Sequence, residues 1–263
     1  MDWALESCTA GLSRRGKMSQ FEIVAHRGVP SAETPENTIP SFQRAIELGA
    51  DAVELDVRLT SDGVPVVFHY FYLDEITLLS GPVFEYTFEQ LQNSQPFKNS
   101  SLKIPTLCDV LETIGGKIGL EIELKGPEPE SSKIVAAALH KFKSLWSTIE
   151  VTSFEPMLLF DIKRLCPGLA TDLLFPRSES WMRLDVVTYL AIQRAQLAQV
   201  RGVHLHPTQL SLEVVSAIRQ QGIEVHAWDV NSISSLNTIL ELKIPKICTD
   251  KLQQAVDFRQ GIG

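Results

Sequence analysis

Two histidines and a crowd of carboxylates are the residues best suited to chemistry in this chain. His26 stands in Ala25-His26-Arg27-Gly28, just after a short apolar run, and His69 closes a second run, Val64–Phe68. Between them lies Glu54-x-Asp56, and further on Glu121-x-Glu123-x-Lys125. Glu54, Asp56 and Glu123 on neighbouring strands would repel one another and hold their protons unless something compensates. A divalent cation is the natural compensator. An all-oxygen set suits Mg²⁺ or Ca²⁺, and without Cys it speaks against structural zinc. Two imidazoles beside that ion can take up and return a proton near neutral pH. Arg27 offers a planar fork for a phosphate and Lys125 a point charge.

Each of these residues also has a bland reading. Glu54, Asp56 and Arg58 can form a solvated strand face with cross-strand ion pairs, which for a lone E-x-D is the better bet. His26-Arg27 alone is an ordinary surface pair, and His69 alone a satisfied core histidine. What tips the balance is that all of them fall at the same ends of their strands. His140 and His226 are assigned to packing. For His204 and His206 packing is the better expectation, with one of them able to reach the rim. Trp228, at a strand end, suits either core or stacking on a substrate.

The elements that must position these groups alternate regularly. Apolar strands are expected at Glu22–Ala25, Ala52–Leu59, Ile118–Leu124, Ile149–Phe154, Ala170–Leu174, Gly202–Leu205, Glu224–Trp228 and Lys246–Cys248. A helix begins near Thr38, carries Pro40 in its first turn and ends at Gly49. Helical patterns fill about 107–114, 131–145, 155–165, 187–199, 211–221 and 232–242. Ser61-Asp62-Gly63 reads as a tight turn returning Val64–Phe68 as a hairpin strand. If that turn centres on Ser61-Asp62, residues whose numbers sum to about 123 face one another, which brings His69 beside Glu54. Eight βα units in one chain of this size predict a TIM (β/α)8 barrel with a β-hairpin and a small insertion, about 70–104, after the second strand. A doubly wound open sheet is the runner-up. The insertion's aromatics, Phe71, Tyr72, Phe84, Tyr86 and Phe88, are expected to pack it onto the barrel. Residues 1–20 read as a disordered tail, and 21–263 as a single domain.

Bulk properties bound the rest. The 263 residues carry 24 basic and 32 acidic side chains, a formal net charge of −8, which argues against general nucleic-acid binding. An anionic substrate must then be held by local cations. Cys8, Cys108, Cys166 and Cys248 show no metal spacing and read as reduced thiols. No window approaches the roughly 18 apolar residues of a membrane span, and the first twenty lack an apolar signal core, so the expectation is a cytoplasmic protein without a transmembrane segment. Oligomeric state is not readable.

At these residues the chain resembles the glycerophosphodiester phosphodiesterase family. The matching pieces are AHRG at 25–28, PENT at 35–38, GADAVELDVRLTSDGVPVVFH at 49–69 and IPTL at 104–107. They continue with EIELK at 121–125, SF at 153–154, HAWDVN at 226–231 and TD at 249–250. Singly common, they form a specific set in this order. The resemblance implies a TIM barrel, a divalent cation, and hydrolysis of small glycerophosphodiesters to glycerol 3-phosphate and an alcohol. It implies that the glycerol 2-hydroxyl attacks first, giving a cyclic phosphate that water then opens. By the same resemblance Glu54, Asp56 and Glu123 match the metal ligands and His26 and His69 the acid–base pair. Arg27 and Lys125 match the phosphate-contacting cations, and Trp228 an aromatic near the substrate. One position departs: the family usually has Asp directly after the second histidine, and here it is Tyr70. Two other readings stay open at this point, a lysophospholipase D-like hydrolase of lipid substrates and a catalytically silent barrel that binds phosphate esters.

Overall fold

The computed structural model describes residues 21–94 and 96–261; the expected tail at 1–20, and Cys8 within it, lie outside them. Nine strands form one sheet: β1 (Glu22–Ala25), β2 (Ala52–Leu59), β3 (Pro65–Val67), β4 (Gly119–Leu124), β5 (Ile149–Ser153), β6 (Ala170–Leu174), β7 (Gly202–Leu205), β8 (Glu224–Ala227) and β9 (Lys246–Thr249). Strands β2, β4, β5, β6, β7, β8 and β9 pair in that order, all parallel, and β1 bridges β2 and β9 to close the ring. The antiparallel β3 hangs on β2. This is an eight-stranded TIM barrel with a hairpin appended, and closure excludes the open-sheet alternative.

The strict alternation of β2 is explained by closure. All eight of its residues are buried. Val53, Leu55 and Val57 face outward into the layer shared with the helices, where they join the main apolar core. Glu54, Asp56 and Arg58 point inward, where a barrel's lumen takes the place that solvent would occupy beside an open sheet. The solvated-face reading therefore fails. A polar pattern on a parallel strand here marks the barrel interior.

Helices α1 (Ile39–Glu47), α3 (Leu107–Ile114), α4 (Ser131–Lys141), α5 (Pro156–Leu165), α6 (Leu184–Ala198), α7 (Leu212–Gln220), α8 (Ile233–Glu241) and α9 (Leu252–Gln260) flank the strands, with α2 (Phe88–Asn93) in the insertion. Thr38 is the N-cap of α1, and Pro40 sits in its first turn. The expected helix over 131–145 breaks at Phe142, and residues Lys143–Thr148 form a 3₁₀ stretch. Two helices lack a sequence signal. In α9 only Leu252, Ala255 and Val256 are buried among mostly polar neighbours, and α2 is six residues long.

The insertion has a core of its own, in which Leu73, Val83, Leu91, Phe97 and Ile104 close over Val66 and Phe68 of the hairpin. Tyr86 and Phe88 pack against it as expected, but Tyr72 and Phe84 are exposed.

Candidate active site

The expected site residues gather at the C-terminal mouth of the barrel, around a cavity of about 200 Å³. His26, Arg27, Glu54, His69, Glu123, Lys125 and Trp228 all line it, and Asp56 lies fully buried beside them. Register brings the carboxylates together. Asp56 of β2 pairs with Glu123 of β4, and Glu54 precedes Asp56 by one pleat on the same face. One oxygen from each of Glu54, Asp56 and Glu123 lies within 4.8 Å of the others. Glu121, also inward, lines the cavity and stands 3.3 Å from Lys246. It does not join the cluster.

Local backbone aims the first two residues. After β1 the chain turns with Arg27 at φ 56 and Gly28 at φ 81. A Cβ at Gly28 would meet Ser41 Oγ at 2.5 Å, so only glycine lets this turn close against α1. The turn points the Arg27 N–H at Glu54 Oε2, 3.0 Å away, and places Arg27 Nε 3.3 Å from Asp56 Oδ2. His26 Nε2 stands 3.9 Å from Glu54 Oε2, while its Nδ1 is held 2.6 Å from Asp250 Oδ1. Lys125 Nζ lies 2.7 Å from Glu123 Oε1 and 3.4 Å from Asp56 Oδ1.

The hairpin pairs Val57 with Val67 and Arg58 with Val66, one residue off the register expected from the turn. His69 therefore lies against Asp56, whose carbonyl accepts from Phe68 N, one residue along from the expected pairing and lining the same cavity as Glu54. Tyr70, where the resemblance leads one to expect Asp, sets its ring edge-on to His69 at 4.7 Å.

The electrostatics follow from burial. Desolvation, with Asp56 and Glu123 beside it, pushes Glu54 well above the usual carboxylate range. Glu123 is raised to about 7 by burial and by Asp56, against the pull of Lys125. Asp56 is equally buried, but Lys125 and Arg27 outweigh that and hold it at about 2. Burial depresses His69 to about 3 despite Asp56, so its ring is neutral at pH 7.

Several contributors carried no sequence signal strong enough to single them out. Asn37, within the PENT match, is buried and grips Asp56 twice: its Nδ2 donates to Asp56 Oδ2 at 2.8 Å, and its Oδ1 accepts from Asp56 N at 3.1 Å. Glu36 of the same loop pairs with Arg27 at 3.0 Å. Asn231 ties Asp229 and Asp250 together. His206 does reach the rim, 3.1 Å from Asp229, with its ring against Trp228. Trp228 is fixed by an indole N–H donated to Phe175 O at 3.1 Å and by the edge of Phe154. His226 is buried as expected, though within a charged network.

Fold and site together define a TIM-barrel hydrolase. The model of the glycerophosphoryl diester phosphodiesterase family matches residues 26–254, and the chain belongs to that family. It is 32% identical over 255 residues to a glycerophosphodiester phosphodiesterase of Caldanaerobacter subterraneus, covering 91% of this chain and 98% of that protein. Among solved structures, a phosphodiesterase of Oleispira antarctica in complex with the product sn-glycerol-3-phosphate is 28% identical, with a TM-score of 0.76 over 90% of this chain and 97% of that one. A glycerophosphodiester phosphodiesterase of Thermotoga maritima is 26% identical, with a TM-score of 0.71 over 90% and 98%. No helix among the described residues is long and apolar enough to cross a membrane.

Proposed function

We propose that this chain, as one barrel domain over 21–263 with an insertion at about 70–104, hydrolyses glycerophosphodiesters to glycerol 3-phosphate and an alcohol, using a divalent cation. The observation that carries this reading is the meeting of three buried carboxylates with two imidazoles and two fixed cations around one small cavity. The donor set fits a hard cation. Glu54 Oε1 is buried without a hydrogen-bond partner, and so is Asp56 Oδ1, although Lys125 Nζ stands 3.4 Å away. Such orphaned oxygens cost free energy unless a cation draws them in. Glu54, Asp56 and Glu123 would hold it, and oxygen ligands alone favour Mg²⁺ or Ca²⁺. When bound, the ion supplies charge stabilisation for the phosphodiester oxygens during displacement.

The chain's own groups do the remainder. Arg27 and Lys125, each tied to a carboxylate of the cluster, present their free donors to the phosphate. Asp250 holds Nδ1 of His26, leaving Nε2 as the nitrogen that exchanges a proton with substrate. His69, kept neutral by burial, takes the nucleophile's proton, and His26, entering the step as imidazolium, gives one from Nε2 to the departing alcohol. Trp228 and Phe154 give the glycerol or head group an apolar wall.

The test is a panel of glycerophosphodiesters assayed after EDTA treatment and again with Mg²⁺ or Ca²⁺ restored. Hydrolysis that returns with one ion supports the reading; no hydrolysis of any diester under any ion overturns it. Choline release from glycerophosphocholine, compared with lysophosphatidylcholine, separates the small diester from the lipid substrate.

A further inference from the structure

The closed end of the barrel is as charged as its mouth, and nothing in the reaction above uses it. Glu150 of β5, Asp172 of β6, His204 of β7 and His226 of β8 project inward from four successive strands, all buried. His204 Nε2 lies 3.3 Å from Glu150 Oε1, 3.4 Å from Asp172 Oδ2 and 3.2 Å from His226 Nδ1. His226 Nδ1 is in turn 2.9 Å from the same Asp172 oxygen. One ring N–H cannot donate to three neighbours at once.

The outer nitrogens of both rings face carboxylates. His226 Nε2 is 3.2 Å from Glu224 Oε2, and His204 Nδ1 is 3.7 Å from Glu121 Oε1. The Glu224 carboxylate behind His226 keeps that ring's proton on the outer nitrogen and turns its inner lone pair toward a metal, while His204 Nδ1 is buried without a hydrogen-bond partner. One ligand atom from each of the four residues lies within 4.8 Å of the others. Bonds of about 2.0–2.2 Å in a tetrahedral centre set ligand atoms roughly 3.3–3.5 Å apart, close to the separations here.

Charge and space agree with an ion. The carboxylates of Glu121, Glu150, Asp172 and Glu224 face two fixed cations, Lys246 and Arg201. Carboxylates outnumber the fixed cations here, so the cluster can take up further positive charge. A Cβ at Gly202 would stand 3.1 Å from Asp172 Oδ2, so the bare glycine keeps room for that carboxylate. A cavity of about 340 Å³, lined by Glu121, Glu150, Arg201 and Lys246, leads to the cluster from the N-terminal end of the strands.

We propose that Glu150, Asp172, His204 and His226 form a second, structural metal site that takes Zn²⁺ at the closed end of the barrel, pinning β5 to β8. Two imidazoles and two carboxylates in tetrahedral array suit zinc better than Mg²⁺ or Ca²⁺. This site is separate from the rim cluster and does not depend on the reaction assigned there.

Metal-stripped full-length protein, with excess Mg²⁺ present to fill the rim, is titrated with Co²⁺ and then Zn²⁺. The expected result is one Co²⁺ per chain with the strong visible absorption of a four-coordinate ion, displaced by Zn²⁺, which also raises Tm. The rim variant Asp56→Asn should keep this absorption, and His226→Gln should lose it, with Zn²⁺ bound at least ~100-fold more weakly. Absence of the four-coordinate spectrum in both wild type and Asp56→Asn overturns the site, and so does its survival in His226→Gln. Should His226→Gln fail to fold, the wild-type and Asp56→Asn spectra decide. Failure of the rim reading would appear elsewhere, as hydrolysis that ignores Mg²⁺ and Ca²⁺.

Discussion

His26 and Asp250 meet across the seam where the barrel closes, with His26 Nδ1 2.6 Å from Asp250 Oδ1. They follow Ala25 and Thr249, which are partners in the β1–β9 register, so the contact exists only because the first and last strands pair. The His26 hydrogen bond holds Asp250 at about 2, and the carboxylate stays charged wherever the enzyme would work.

His26→Ala and His69→Ala should each lower kcat by ~10²–10⁴-fold in a folded protein. Asp250→Asn should fall between wild type and His26→Ala, since it leaves the imidazole but weakens its orientation. Steady-state kinetics with circular dichroism checks this. Wild-type turnover in folded His26→Ala would remove that residue from the reaction.

Glu54→Gln should cut hydrolysis by at least ~10³-fold, because several kcal/mol of charge stabilisation leaves with the ion. The metal-free variant should nevertheless melt no lower than metal-free wild type, since Glu54 is driven toward its neutral form by burial and by Asp56 and Glu123. Thermal melts with and without Mg²⁺ read both effects. A variant still stabilised by Mg²⁺ as much as wild type would show that Glu54 is no ligand.

Without added metal the protein should lose stability as pH rises from about 6.5 to 9. Glu123, raised from 4.5 to about 7, contributes to the decline only up to about 7, and Glu54, raised as well, acts in the same direction. His204, raised to about 9 chiefly by Glu121 and Asp172 against burial, acts in the same direction. His69 acts oppositely, but only between about 3 and 6.5, where the unfolded ring takes up the proton. Divalent metal should flatten the alkaline decline, because the ion replaces the protons. Melts in EDTA across this range would contradict the scheme if stability rose toward pH 9.

Lys246→Met should destabilise the protein by ~3–5 kcal/mol, or about 10 °C in Tm, by leaving buried Glu121 without its cation and taking from Glu150 one of its partners. Its kcat, measured well below the new Tm, should stay near wild type, since Lys246 lies at the far end of the barrel. Denaturant unfolding measures the first and kinetics the second.

Much of this architecture was legible in the residue pattern. Alternation in β2 separated Val53, Leu55 and Val57 from Glu54 and Asp56, and the order of βα units implied a barrel. The motifs around His26, Glu54, His69 and Glu123 named the rim because strand ends and their loops are local in sequence. That Glu121 stands apart from the cluster is visible only in the β2–β4 register and in its place beside Lys246. The His26–Asp250 pair and the Asn37 grip on Asp56 join residues distant in the chain. So do the four strands that bring Glu150, Asp172, His204 and His226 together. Periodicity reports which face a side chain takes on its own strand. Which partners share that face is set by closure of the ring, a property of all eight strands at once.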